Sequence, residues 1–192
     1  MVKAIIFDCF GVLILPGRTK LYQAYPQFTE RIGDLERQSD AGLMSRQQFY
    51  EGIADLVSIT PEEVHTNYYE FKDYNHGAVD WAREIRLTNK YKLALLSNIG
   101  RGWLDDFLVT MNQIDLFDEV VLSSDVGIIK PNPKIFELMA DRLGLAPSEC
   151  VMIDDIEANI NGAKSIGMHG IVFDSVDQAK AELGQLIESQ NA

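Results

Sequence analysis

Asp8 closes the apolar run Lys3-Ala4-Ile5-Ile6-Phe7 and is followed at once by Cys9-Phe10-Gly11-Val12. A buried strand of this kind delivers a carboxylate to the carboxyl edge of a sheet, where a glycine-containing turn lets a substrate approach the backbone. That is how a carboxylate nucleophile is presented. Asp154 and Asp155 close a second apolar run, Val151-Met152-Ile153. Adjacent carboxylate oxygens suit a hard divalent cation, which a carboxylate needs beside it when it attacks an anionic centre. Ser97 ends a third run, Leu93-Ala94-Leu95-Leu96, and Lys130 follows Val120-Val121-Leu122 after a short glycine-containing loop. A hydroxyl and an ammonium are suitable partners for developing negative charge. Taken singly, each residue has a plainer reading: Asp8 as a turn or helix-cap residue, Ser97 as a strand-end turn residue, Lys130 as a solvated loop charge.

The elements that must position these groups can be read from the pattern of apolar residues. Strand-like runs fall at Ala4–Phe7, Leu93–Leu96, Val120–Leu122, Val151–Ile153 and Ile171–Phe173, and helical patterns separate most of them. That alternation predicts an α/β fold, a doubly wound and mainly parallel sheet with helices on both faces. In such a sheet the site lies at the carboxyl ends of the strands, beside the switch in strand order, which gathers Asp8, Ser97, Asp154 and Asp155 on one edge. The first two runs are separated by about 80 residues, far more than one crossover requires. The intervening sequence is helical in pattern: Phe28–Gln38, then Ser45 and Gln48 as a capping box ahead of Phe49, Ile53, Leu56 and Val57, then Thr60-Pro61-Glu62-Glu63 opening another helix.

Four segments in this order, Asp8-Cys9-Phe10-Gly11, Leu95-Leu96-Ser97-Asn98, Lys130-Pro131-Asn132-Pro133 and Met152-Ile153-Asp154-Asp155 with Asn159, resemble the four motifs of the haloacid dehalogenase superfamily of hydrolases. The resemblance implies a Rossmann-like core of residues 1–15 and 78–192, with residues 16–77 forming a small inserted helical cap. It implies Asp8 as nucleophile, with Ser97, Asn98 and Lys130 holding a phosphoryl group. It further implies Mg²⁺ bound by Asp8, the backbone carbonyl of Phe10 and Asp155, with Asp154 in support or bonded through water. Gly11 shapes the first loop, and Asn159 orients Lys130 or Asp155 unless it is merely exposed on the first helical turn. Among the aromatic residues of the insertion, Tyr22, Tyr25, Tyr68 and Tyr69 read as packing residues rather than a substrate platform. Arg18 and Lys20 read as solvated, although an anionic substrate would lie within reach of them.

Phe10 departs from the family pattern, which has a second aspartate there to protonate the leaving oxygen. General acid–base help of that kind is worth about 10²- to 10⁴-fold, so the leading expectation is a specialised Mg²⁺-dependent phosphatase working through an aspartyl-phosphate on Asp8. The lysine and aspartate motifs look most similar to sugar-1-phosphate phosphatases and to the phosphatase domain joined to epoxide hydrolases. Two alternatives stand beside it. Haloacid dehalogenases carry an aromatic residue at this position and expel halide, which needs no proton, but they lack the paired aspartates. A catalytically weak binding protein of the same fold is the other.

Composition narrows the class. The 192 residues are 46% hydrophobic and 24% charged, enough for one substantial core with an accessory domain. A formal net charge of -12 argues against nucleic acid as a partner and gives no basic stripe for anionic membranes. No apolar run is long enough to span a bilayer, and Asp8 arrives too early for a signal peptide, so a cytoplasmic location is the expectation. Cys9 and Cys150 read as core thiols, and His65, His76 and His169 show no zinc-ligand spacing. The expected partner is a small phosphorylated molecule.

Overall fold

The computed structural model describes residues 1–15, 19–69, 74–103 and 114–190. Its strands are β1 (Ala4–Phe7), β2 (Lys92–Ser97), β3 (Glu119–Leu122), β4 (Cys150–Asp154) and β5 (His169–Val172). They form one sheet in the order β3-β2-β1-β4-β5, and every neighbouring pair is parallel. β1 is buried at all four positions, which is why it reads as an unbroken apolar run rather than an alternation. The last strand differs from expectation. It begins at His169 and ends before Phe173, and since only Ile171 of its four residues is buried it carries no continuous apolar run.

The helices, in chain order, are α1 (Thr19–Ala24), α2 (Thr29–Asp40), α3 (Arg46–Val57), α4 (Pro61–Tyr69), α5 (His76–Thr88), α6 (Ser123–Val126), α7 (Pro133–Leu143), α8 (Glu157–Lys164) and α9 (Val176–Ser189). Successive strand residues point to opposite faces. Ile5, Phe7, Leu93, Leu95, Val151 and Ile153 therefore meet α5 and α9, where Phe7 packs edge-on to Trp81 with ring centroids 5.4 Å apart. Ala4, Ile6, Ala94, Leu96 and Met152 meet α7 and α8 on the other side. α7 shows how the sequence specifies such a helix. Asn132 accepts from the Lys134 amide at 3.1 Å, Pro133 occupies the first turn, and Ile135, Phe136, Met139 and Leu143 make one apolar stripe. Each large side chain so buried stabilises the fold by about 1.5–3 kcal/mol.

Between β1 and α5 the expected helices are present. Ser45 and Gln48 satisfy each other's backbone amides at 2.8 and 3.2 Å, and Thr60 and Glu63 do the same at 2.7 and 3.2 Å. The helix expected over 28–38 runs from Thr29 to Asp40 and follows a 3₁₀ turn at Pro26–Phe28, since Pro26 supplies the first turn but no amide. The helices share one buried apolar cluster with the core: Ile32, Phe49, Ile53, Val57 and Val64 join Val12, Leu13, Ile99 and Trp103. Polar contacts fasten the far end of α2. Ser123 Oγ donates to the Asp40 carbonyl at 2.6 Å and accepts from the Ile99 amide at 2.9 Å. Among the described residues no helix is long and apolar enough to cross a membrane.

Candidate active site

The register of the sheet explains why distant residues meet. Phe7 lies opposite Leu95 of β2 on one side and Ile153 of β4 on the other. The next residue of β1 and of β4, Asp8 and Asp154, therefore leave the same edge together at the point where strand order reverses. Lys130 reaches this edge from the segment after α6. Its ammonium lies 2.9 Å from Asp8 Oδ1 and 2.6 Å from Asp154 Oδ2, and it donates to the Leu96 carbonyl at 3.0 Å. Three acceptors thus match the three protons of the group. All three side chains are buried.

Asp154 is further satisfied by the Ile156 amide at 2.9 Å and by Asn159, whose Nδ2 lies 3.0 and 3.1 Å from its two oxygens. Asn159 is buried and orients Asp154, not Lys130 or Asp155 as the sequence reading held. Its position early on α8 was legible, but its partner depended on how α8 docks. Asp155, unlike its buried neighbour, is exposed. Gly11 makes room for its carboxylate. The glycine has φ +87°, and a Cβ there would fall 2.2 Å from Asp155 Oδ2. Asp8, Asp154 and Asp155 each offer an oxygen within 4.8 Å of the others, a grouping able to hold a metal ion.

Burial pushes the Asp8 carboxyl up to about 6, with the Asp154 charge adding to the rise and the Lys130 ammonium opposing it. Burial works against the charge of Lys130 too, yet the two carboxylates outweigh it and hold the ammonium protonated above its ordinary range. The Cys9 thiol is pushed well above its usual value by burial and by the Asp8 charge, so it is a core residue beside the site and no nucleophile.

A cavity of about 430 Å³ opens onto this cluster, a volume suited to a small ligand. Asp8, Phe10, Gly11, Asn98, Lys130, Asp155 and Asn159 line its floor from the core, and Tyr22, Gly33, Glu36, Arg37 and Asp40 face it from the inserted helices. Ser97 sits deeper than its neighbours. It is fully buried at the end of β2, beneath the residues that line the cavity, and its hydroxyl has no hydrogen-bond partner among the described residues. Asn98 takes the wall position instead, and its side chain bonds the backbone of Lys130 at both ends, at 2.8 and 3.0 Å. Tyr22 and Tyr25 both pack against the core, and Tyr22 also reaches the cavity wall, where it donates to Glu36 at 2.6 Å. Arg18 and the side chains of Lys20, Tyr68 and Tyr69 lie outside the described residues. The sequence reading missed Glu36, Arg37 and Asp40, although their spacing from Gly33 repeats a helical face with polar residues on it.

The profile of the haloacid dehalogenase-like hydrolases matches residues 2–167, and the chain belongs to that family. A phosphorylated carbohydrates phosphatase of Thermotoga maritima is 28% identical over 94% of this chain and 90% of its own length. Acyl-CoA dehydrogenase family member 10 of Mus musculus is 45% identical over 71 residues, which make up 37% of this chain and 7% of the mouse protein. Among solved structures, a haloacid dehalogenase family enzyme of Bacteroides thetaiotaomicron, in complex with magnesium and inorganic phosphate, superposes with a TM-score of 0.70 at 24% identity, over 89% of this chain and 93% of its own. The L-2-haloacid dehalogenase of Xanthobacter autotrophicus, with chloropropionic acid covalently bound, gives 0.64 at 21% identity, over 88% and 76%. At such identities these likenesses establish the fold.

Proposed function

We propose that the chain is a Mg²⁺-dependent phosphatase that hydrolyses a small phosphorylated molecule through an aspartyl-phosphate on Asp8. One observation carries the reading. Asp8, Asp154 and Asp155 each offer a carboxylate oxygen within 4.8 Å of the others, a cluster of hard donors suited to one divalent cation. The donors are all oxygens, as Mg²⁺ prefers, and Gly11 keeps the place of the Asp155 carboxylate clear. Asp8, Asp155 and the Phe10 carbonyl would hold the ion, with Asp154 kept from it by its bonds to Lys130, Ile156 and Asn159. When bound, the ion screens the phosphoryl charge that would otherwise repel Asp8.

The side chains divide the remaining work. Asp8 attacks phosphorus in line with the leaving oxygen, and a water then attacks phosphorus and releases phosphate from the aspartyl acyl phosphate. Lys130, fixed by two carboxylates, offers its positive charge to the equatorial oxygens as Asp8 gives up its share of the ion pair. The buried hydroxyl of Ser97, which has no hydrogen-bond partner among the described residues, supplies a second donor to the phosphoryl group once the substrate is seated. Residues 16–77 act as a cap that closes the cavity and excludes water. The magnesium and phosphate of the Bacteroides enzyme and the activity named for the Thermotoga relative support this assignment. Phe10 favours halide expulsion as the second reading, and the acidic cluster opposes it.

The test is hydrolysis of phosphorylated sugars, aryl phosphates and acyl phosphates, beside halide release from 2-haloacids, each with Mg²⁺ and with a chelator. Phosphate release that requires Mg²⁺ and disappears in Asp8→Asn is the expected result. Halide release that persists in chelator would overturn the assignment in favour of dehalogenation.

A further inference from the structure

A phosphoester whose leaving group is a poor anion needs a proton at the departing oxygen, and the Phe10 side chain has none to give. The opposite wall of the cavity carries carboxyl groups. Gly33, Glu36, Arg37 and Asp40 occupy one face of α2 and line the cavity that contains Asp8, Lys130 and Asp155. A glycine inside a helix costs about 1 kcal/mol relative to alanine, so Gly33 is an unfavourable choice for α2 itself. A Cβ there would make ordinary contacts, 3.4 Å from Arg37 Nη1 and 3.9 Å from the Tyr22 hydroxyl oxygen, so no clash requires the glycine, which simply lowers this face beside the cavity. Tyr22, on the same wall, donates to Glu36 Oε2 at 2.6 Å, a bond that fixes the orientation of the carboxyl group and leaves its other oxygen to carry a proton. The end of α2 is tied to the core through the Asp40 carbonyl and Ser123, which sets the height of Glu36 above the catalytic edge.

Resting on the phosphatase reading above, we propose that Glu36 is the general acid and base that residue 10 does not supply. As an Asp8 oxygen bonds to phosphorus and the bond to the leaving oxygen breaks, the proton of the Glu36 carboxyl group passes to that oxygen. In the second half a water oxygen bonds to phosphorus, the bond to Asp8 breaks, and the Glu36 carboxylate takes the proton of the water, restoring both groups. Tyr22 is a positioning residue in this scheme. Asp40 shares the face but carries the shorter side chain, at the last residue of the helix.

The experiment is a series of phosphate esters graded by leaving-group pKa, from alkyl through aryl to acyl phosphates. It is run with saturating Mg²⁺ on the parent, Glu36→Gln, Asp40→Asn and, as the zero, Asp8→Asn. The parent should depend only weakly on leaving-group pKa. Glu36→Gln should lose about 10²-fold or more on alkyl phosphates and less than about tenfold on aryl phosphates, so that its dependence steepens. Glu36→Asp, which keeps the carboxyl group and shortens its reach, should fall between the two and serves where Glu36→Gln folds poorly by circular dichroism. A parent already steep, equal losses on every ester, or steepening only in Asp40→Asn would overturn the role of Glu36. Failure of the phosphatase reading has a different signature: no ester is hydrolysed, or Asp8→Asn matches the parent on all of them, and both proposals then fall.

Discussion

Asn98 holds Lys130 by its peptide rather than by its charge. Asn98 Oδ1 accepts from the Lys130 amide at 2.8 Å, and Asn98 Nδ2 donates to the Lys130 carbonyl at 3.0 Å. The side-chain amide thereby imitates a neighbouring strand for a single residue and fixes the point from which the ammonium reaches Asp8 and Asp154.

Asn98→Ala removes both bonds and leaves the half-buried Lys130 peptide to water or to nothing. It should cost about 1–3 kcal/mol in urea or thermal unfolding. If the two residues act as a unit, kcat should fall at least tenfold with little change in KM, because the misplaced charge matters most when negative charge develops. An unfolding loss with unchanged kcat would make the clamp purely structural.

The second prediction concerns pH in the absence of metal. The Asp8 carboxyl is raised from 3.8 to about 6, chiefly by burial. A folded-state pKa above the unfolded value contributes stability that is complete below about pH 4 and is lost as pH rises through about 6. In chelator, the parent should therefore lose stability across that window. Asp8→Asn has no such titration and should unfold at higher temperature than the parent at pH 8, by the equivalent of about 1–3 kcal/mol, with the gap closing toward pH 4. Thermal melts of both proteins between pH 4 and 8 measure this directly, and a gap independent of pH would refute it.

Why some of this could be read from the sequence and some could not has a physical basis. The positions of Asp8 and Asp154 follow from two apolar runs and from the rule that parallel strands end on the same edge, so no side-chain detail was needed. The roles of Asn98 and Asn159 were beyond reach, because an amide bonds whichever group the packing brings near it. One turned out to serve the Lys130 backbone and the other the Asp154 carboxylate. The fifth strand was misplaced, its start by two residues and its end by one, because only Ile171 of its four residues is buried and it carries no continuous apolar run. The polar face of α2 was overlooked because a charged stripe on a helix ordinarily faces solvent.

Gly11→Ala tests the place of Asp155. The substitution sets a Cβ at φ +87°, a conformation that L-residues adopt at a cost of about 1–2 kcal/mol, and drives it into the Asp155 carboxylate. The carboxylate must turn away, and the first-motif loop that presents the Phe10 carbonyl must shift. The Mg²⁺ concentration for half-maximal stabilisation, followed by melting temperature, should rise at least tenfold. Restored metal affinity in Gly11→Ala would show that Asp155 is dispensable to the ion.

Ser97→Ala separates fold from function at one atom. The hydroxyl is fully buried and lacks a partner, so the folded protein bears the cost of its lost hydration without a compensating bond. Removing it should leave stability unchanged or raise it by up to about 1 kcal/mol, against the usual trend for a buried substitution. Activity should move the other way. A donor that finds its partner only in the phosphoryl group contributes where charge develops, and its removal should lower kcat about 10- to 100-fold on every ester, whatever the leaving group. That uniformity distinguishes Ser97 from Glu36, whose loss should fall mainly on poor leaving groups. Unfolding curves and the ester series on one preparation of Ser97→Ala give both readings. A variant that is less stable and fully active would mean that the hydroxyl serves packing alone, and that Asn98 is the residue of β2's edge that meets the substrate.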